Sequence, residues 1–149
     1  MVQLEDFSRL AVQQDGLVMV GATRADGTVQ ATVVNAGVFP HPADGGLTVA
    51  MVVRGNALKL RLVRRRPACT VTVRNGFQWV TVEGSAEVAG PDDPHPAVPN
   101  HNLPGLLRAV YMAAGGSHDD WPTYDKVMAE ERRTVIFVRP QRVYGMVRY

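Results

Sequence analysis

Two glycine-led turns do most to limit what this chain can fold into. Asp26-Gly27 separates LVMVGAT from TVQATVVNAGVF, and Asn75-Gly76 separates the run over 68–74 from the run over 77–88. Both turns are flanked by β-branched and small residues, and glycine supplies the positive φ that a tight hairpin needs. A two-residue turn is expected at each. Hairpins join antiparallel strands, whereas a doubly wound parallel sheet needs a helix after nearly every strand. This chain has too few helices for that. HPADGG (41–46) is a further turn, and LTVAMVV (47–53) is nearly continuous in apolar residues, the pattern of a strand covered on both faces.

Helical periodicity fills the remaining segments. Leu4, Phe7, Leu10 and Ala11 mark one apolar face of a short helix that Gly16 ends. RGNALKLRLVRRRP (54–67) reads as a second helix, with Asn56 as N-cap, Leu58 and Leu62 on one face and Pro67 as the stop. After the proline-rich loop 91–104, residues 106–114 and 124–133 read as two more, the latter introduced by Asp120 and Pro122. TVIFV (134–138) and the VYGM near the end make a closing strand. In the run over 77–88, Phe77, Trp79, Thr81 and Glu83 share one side, with Gln78, Val80 and Val82 on the other. The expected fold is a single domain over 1–149, mostly β with flanking helices, curled into a barrel that hides its sheet edges.

Composition excludes several functions. At 149 residues, with 46% hydrophobic and 20% charged, the chain has the make-up of one packed domain. A net charge of +2 is too mild for a nucleic-acid partner, and the arginine run 61–66 has no interleaved aromatics. No stretch approaches the ~20 apolar residues of a membrane helix, and MVQLEDFSRL lacks the basic start and apolar run of a secretory leader, so none is expected. The lone Cys69 suits a reducing compartment. A cytoplasmic protein is expected, with neither membrane nor nucleic acid as partner.

Chemistry has few places to sit. Gly55-Asn56 opens a helix whose first N–H groups lack internal partners, a seat for an anion on which Arg54, Lys59 and Arg61 converge. The same charges also describe a solvated basic helix face, although a lysine in the first turn opposes the helix dipole. Thr32, Val33, Val34 and Asn35, facing Met51 and Val52, are either an apolar wall for a flat ring or plain core strand. Phe77 and Trp79 either stack on a cofactor or fill the core or a subunit interface. His41, His95, His101 and His118 lie in scattered loops without ligand spacing, so they are expected at the surface, with no metal bound. Cys69 has no nearby histidine and is expected to be inert. No GxGxxG, P-loop, GxSxG or paired nucleophile and base is present, so catalysis has to borrow a cofactor's reactivity.

Four stretches carry a family resemblance by their order and spacing: RADGTVQATVVN (24–35), VVRGNALKLRLVRRRP (52–67), GFQWVTVEGSAEV (76–88) and WPTYDKVMAEERRTVIFVRPQRVYG (121–145). Together they resemble the pyridoxamine 5′-phosphate oxidase-like split barrels, within them the actinobacterial group that uses flavin or the deazaflavin coenzyme F420. The resemblance implies a split β-barrel homodimer with a cofactor in each groove between subunits. It implies that Lys59 holds the cofactor phosphate, helped by Arg61 and Arg54. It further implies that the ring lies against Thr32 to Asn35 and Met51 to Val53, and that Phe77 and Trp79 line the pocket, often from the other subunit. The implied activity is hydride transfer between F420 and a small-molecule substrate. FMN is the alternative cofactor, and a non-catalytic cofactor carrier the alternative role. No catalytic side chain is identified.

Overall fold

In the computed structural model, which describes residues 1–149, six antiparallel strands close into one barrel in the order β1-β2-β3-β6-β5-β4. They are β1 (Leu17–Thr23), β2 (Val29–Pro40), β3 (Leu47–Val53), β4 (Ala68–Asn75), β5 (Gln78–Ala89) and β6 (Thr134–Met146). Around them lie α1 (Leu4–Gln13), α2 (Leu58–Arg65), α3 (Leu103–Ala113) and α4 (Trp121–Glu130). The expected element order and the barrel are both present.

The turns differ in detail from expectation. Thr23 pairs with Val29, and the Arg24 N–H donates to the Thr28 carbonyl at 2.8 Å, so a three-residue loop replaces the two-residue turn. Gly27 takes φ 87°, the left-handed position such loops end on, and Asp26 accepts from the Thr28 N–H and hydroxyl. At the other hairpin Asn75 pairs with Gln78, which makes Gly76-Phe77 the two-residue turn. Phe77 therefore sits in the turn and not in the strand. The closing strand is one continuous element because Pro140 falls opposite Gly84, beside a register shift at Glu83/Gly84. A bulge is one of the few places where a sheet tolerates a residue lacking an N–H.

The barrel interior is the main core. Val18, Val20, Val49, Met51, Val71, Val80, Val82, Ile136 and Val138 point inward, joined by Phe7 and Leu10 of α1 and by Leu60 and Val63 of α2. The buried face of α2 thus runs through Leu60 and Val63; Leu58 lies off that face and is exposed. Its N-cap is Ala57, without a side-chain cap, in place of Asn56. A second core lies outside the barrel, where Ala50, Val135 and Phe137 meet Leu107, Val110 and Tyr124 of α3 and α4. β3 is consequently covered on both faces, as its continuous apolar pattern requires. Asp120 caps α4 by accepting from the Thr123 N–H at 3.2 Å, so this helix begins at Trp121, three residues before the periodicity shows.

The other outer face carries no helix. Register places Val33, Met19, Thr72, Thr81 and Tyr144 side by side in one row across five strands. Ala31, Gly21 and Thr70 form the next row. Met19 is 52% and Val33 62% exposed, while the Thr72 and Thr81 hydroxyls satisfy each other at 2.8 Å. No helix is long and apolar enough to cross a membrane.

Candidate functional site

Where β2 leaves β1 to pair with β3, α3 and α4 stand off the sheet and leave a cavity of about 270 Å³. Val34, Asn35 and Val52 form its floor; Tyr111, Tyr124, Met128 and Arg133 form the opposite side. The edge-on contact of Tyr124 with Trp121 at 5.2 Å and its bond to the Leu107 carbonyl at 3.2 Å fix that wall. Burial pushes the Tyr124 phenol up to about 12, so it stays protonated. Gly37 holds the far end in place: a Cβ there would lie 2.0 Å from the Ala113 carbonyl oxygen, so only glycine lets α3 approach β2 this closely.

Next to this cavity lies a groove lined by Arg54, Gly55, Asn56, Glu130, Glu131 and Arg132. The Gly55 N–H donates to the Glu131 carbonyl at 3.1 Å, which fastens the β3–α2 turn to the end of α4. One carboxylate links the two hollows. Glu131 Oε1 accepts from Arg133 Nε at 2.9 Å, and its Oε2 lies 3.6 Å from Arg54 Nη2. Arg132 is turned away in an ion pair with Asp92.

Lys59, in the first turn of α2, is half-buried, and burial alone depresses its amine below the ordinary value of 10.5. It forms neither a hydrogen bond nor an ion pair, so a half-buried cation faces its surroundings without a counter-charge. Arg61 is exposed on the same helix.

The predicted ring wall is divided. Val34, Asn35 and Val52 reach the cavity. Val33 points to the bare outer face, and Met51 lies fully inside the barrel, its side chain withdrawn from any ligand. Thr32 is opposite Val20, and its buried hydroxyl has no partner. Trp79 packs edge-on against Tyr144 at 6.1 Å, and Phe77 is 81% exposed at the hairpin tip. Neither lines the cavity within one chain. Arg133, Tyr111, Tyr124, Met128 and Glu131 escaped the sequence reading, because the segment 130–133 looks like any solvated helix end and its charges find Arg54 only in three dimensions.

The histidines correct an expectation. His41 is 1% exposed, its Nε2 lies 2.7 Å from Glu87 Oε2, and His95 Nε2 lies 3.5 Å from the same oxygen. The three groups have the spacing of a metal triad. Their tautomers do not suit one. His41 Nδ1 accepts from the Ala43 N–H at 3.0 Å and His95 Nδ1 from the Ala97 N–H at 3.1 Å, which leaves the proton of each neutral ring on Nε2. A metal-bound histidine uses one nitrogen as ligand and donates from the other, the reverse of this pattern. Arg139 adds a further cation, donating to Glu87 Oε1 at 2.7 Å. The two HPA turns are a clasp that ties the β2–β3 loop to the proline-rich loop. Cys69 is buried in the barrel, which pushes its thiol up to about 11 and leaves it unreactive.

No protein-family model matches the chain. Solved structures do. A conserved hypothetical protein of Mycobacterium tuberculosis superposes with a TM-score of 0.69 at 15% identity, over 97% of this chain and 84% of its own. An F420 reductase superposes at 0.59 with 18% identity, over 87% and 90% of the two chains. A pyridoxamine 5′-phosphate oxidase candidate from Listeria innocua follows at 0.56 with 17% identity, over 97% and 98%. The chain has the fold of the pyridoxamine 5′-phosphate oxidase-like split barrels. At these identities the likeness extends to the fold and no further. In this split barrel the cavity and the groove open at the side of the barrel where β3 runs into α2.

Proposed function

We propose that this split barrel is an oxidoreductase that binds the deazaflavin F420 in a groove between two copies of the chain and passes hydride to a small organic substrate. One observation carries the reading. Val34, Asn35 and Val52, three residues taken from the sequence as a ring wall, line one cavity, and the groove beside it includes Arg54 and Asn56 of the turn that opens the Lys59 helix. The cavity is below the roughly 300–1,000 Å³ of ordinary ligand pockets, too small for a tricyclic ring with its arm. The ring therefore crosses the mouth, against Val33 and Asn35, and the cavity beneath takes the substrate.

The donor set fits such a cofactor. Lys59 lacks a counter-charge and would hold the phosphate, with Arg61 and Arg54 nearby in the chain. When bound, the deazaflavin supplies a two-electron hydride chemistry that no side chain here possesses. The chain's own part is to orient the reactants and exclude water, which the apolar floor and the Tyr111–Tyr124 wall are built to do. The bare face with Met19 and Val33 would receive the second copy, whose Phe77 and Trp79 complete the seam.

Titrating the purified full-length protein with F420 and with FMN, followed by ultraviolet-visible absorbance, tests this. Saturable F420 binding that Lys59→Ala weakens by about tenfold or more is expected, since a charge-assisted phosphate contact is lost. Tight FMN binding with none for F420 would replace the cofactor, and binding of neither would end the proposal.

A further inference from the structure

Arg133 is the only charged side chain lining the cavity, and it reaches there already engaged by Glu131. Glu131 is an odd residue for its position. It is the C-cap of α4, where the helix dipole disfavours negative charge, and helix geometry gives it no reason to be acidic. Arg132 then adopts φ 50° and the Arg133 N–H returns to the Met128 carbonyl at 3.0 Å, a turn that aims Arg133 at the cavity. The Glu131 carboxylate is bracketed by two guanidinium groups, Arg133 on one oxygen and Arg54 on the other. Its side chain is still 30% exposed, so it can swing out into water.

We propose that Arg133 anchors the carboxylate of an apolar substrate in this cavity, and that Glu131 is an internal stand-in for that carboxylate until the substrate arrives. This rests on the cavity being the substrate pocket of the preceding section. The ligand class follows from the lining: Val34, Val52, Tyr111, Tyr124 and Met128 accept a small, flat, apolar body, and Arg133 accepts one carboxylate at its end. Exchange of Glu131 for the ligand keeps Arg133 paired throughout, so no uncompensated charge is left at the cavity wall. Glu130 on the rim of the groove remains to repel ligands carrying further negative charge.

Benzoate is the probe and benzamide its neutral counterpart, both titrated into the full chain without cofactor while the Arg133 Nε–H resonance is followed. Benzoate is expected to shift that signal in the wild-type protein, and benzamide to leave it in place. Glu131→Gln, which frees the arginines, is expected to tighten benzoate about tenfold and leave benzamide unchanged. Adding Arg133→Met to that variant should abolish the gain. If Glu131→Gln binds benzoate no tighter than wild type, or if benzamide gains equally, the assignment is wrong. If the variant does not fold, the wild-type comparison of benzoate with benzamide decides alone. Because no cofactor is present, failure here leaves the F420 and FMN titrations standing, and failure there leaves this result readable.

Discussion

Lys59 shows how one side chain couples the site to pH. Burial lowers its amine below 10.5 in the folded chain, whereas the unfolded chain keeps its proton up to that value. Between the two, the unfolded state binds more protons, so stability rises with pH in that alkaline window. Ligand binding has the opposite slope. An anionic arm needs the charged amine, so affinity is expected to fall as pH climbs through the lowered value, beginning short of 10.5; Lys59→Met should flatten the profile. Equilibrium binding measured across the alkaline range checks both. Thr32 offers a second test at this scale. Its buried hydroxyl lacks a partner, and such an orphan costs about 1–3 kcal/mol. Thr32→Val keeps the shape and removes the orphan, so the free protein is expected to gain about 1 kcal/mol in urea unfolding.

Among the elements, the fit of α3 on β2 decides whether the cavity exists. The Gly37 backbone sits directly beneath the Ala113 carbonyl, so Gly37→Ala forces the helix outward. A loss of about 1–3 kcal/mol is expected, as for other overpacked contacts, together with altered Tyr111 and Tyr124 signals. Thermal unfolding and aromatic NMR report these separately. Elements of this kind were legible in the sequence where a local rule dominates. Alternation, turn glycines and the doubly covered pattern of 47–53 identify all six strands. The start of α4 escaped because Asp120 and Pro122 set it chemically, ahead of any apolar period. The site was legible only in part. Val34, Asn35 and Val52 could be found by type and position, but Met51 was placed one step off the strand's alternation, and the Arg54–Glu131 pair depends on α4 returning to β3 across more than 70 residues of chain. His41 escaped for the same reason: its partner Glu87 lies on β5, and nothing near position 41 announces a buried imidazole.

For the whole molecule, the uncovered five-strand face is the feature that calls for a partner. Met19 and Val33 stand exposed side by side on it, apolar surface of the kind that interfaces use, and a lasting interface needs roughly 1,000 Å² or more. Met19→Glu puts a charge at the centre of the Val33–Met19–Thr72 row without touching the core. Sedimentation equilibrium is expected to show a dimer for the native chain and a monomer for the variant, with far-ultraviolet circular dichroism unchanged. A native monomer would remove the shared groove from the proposed function, and the benzoate test would be unaffected. Closure of the barrel limits how far such association can go. With β4 returned to β1, every strand has a neighbour on each side, and the longest one-sided stretches are 29–35 of β2, paired with β1 alone, and 139–146 of β6, paired with β5 alone. A second copy seated on the bare face meets it side chain to side chain, and crowding the protein should yield discrete pairs instead of growing fibrils.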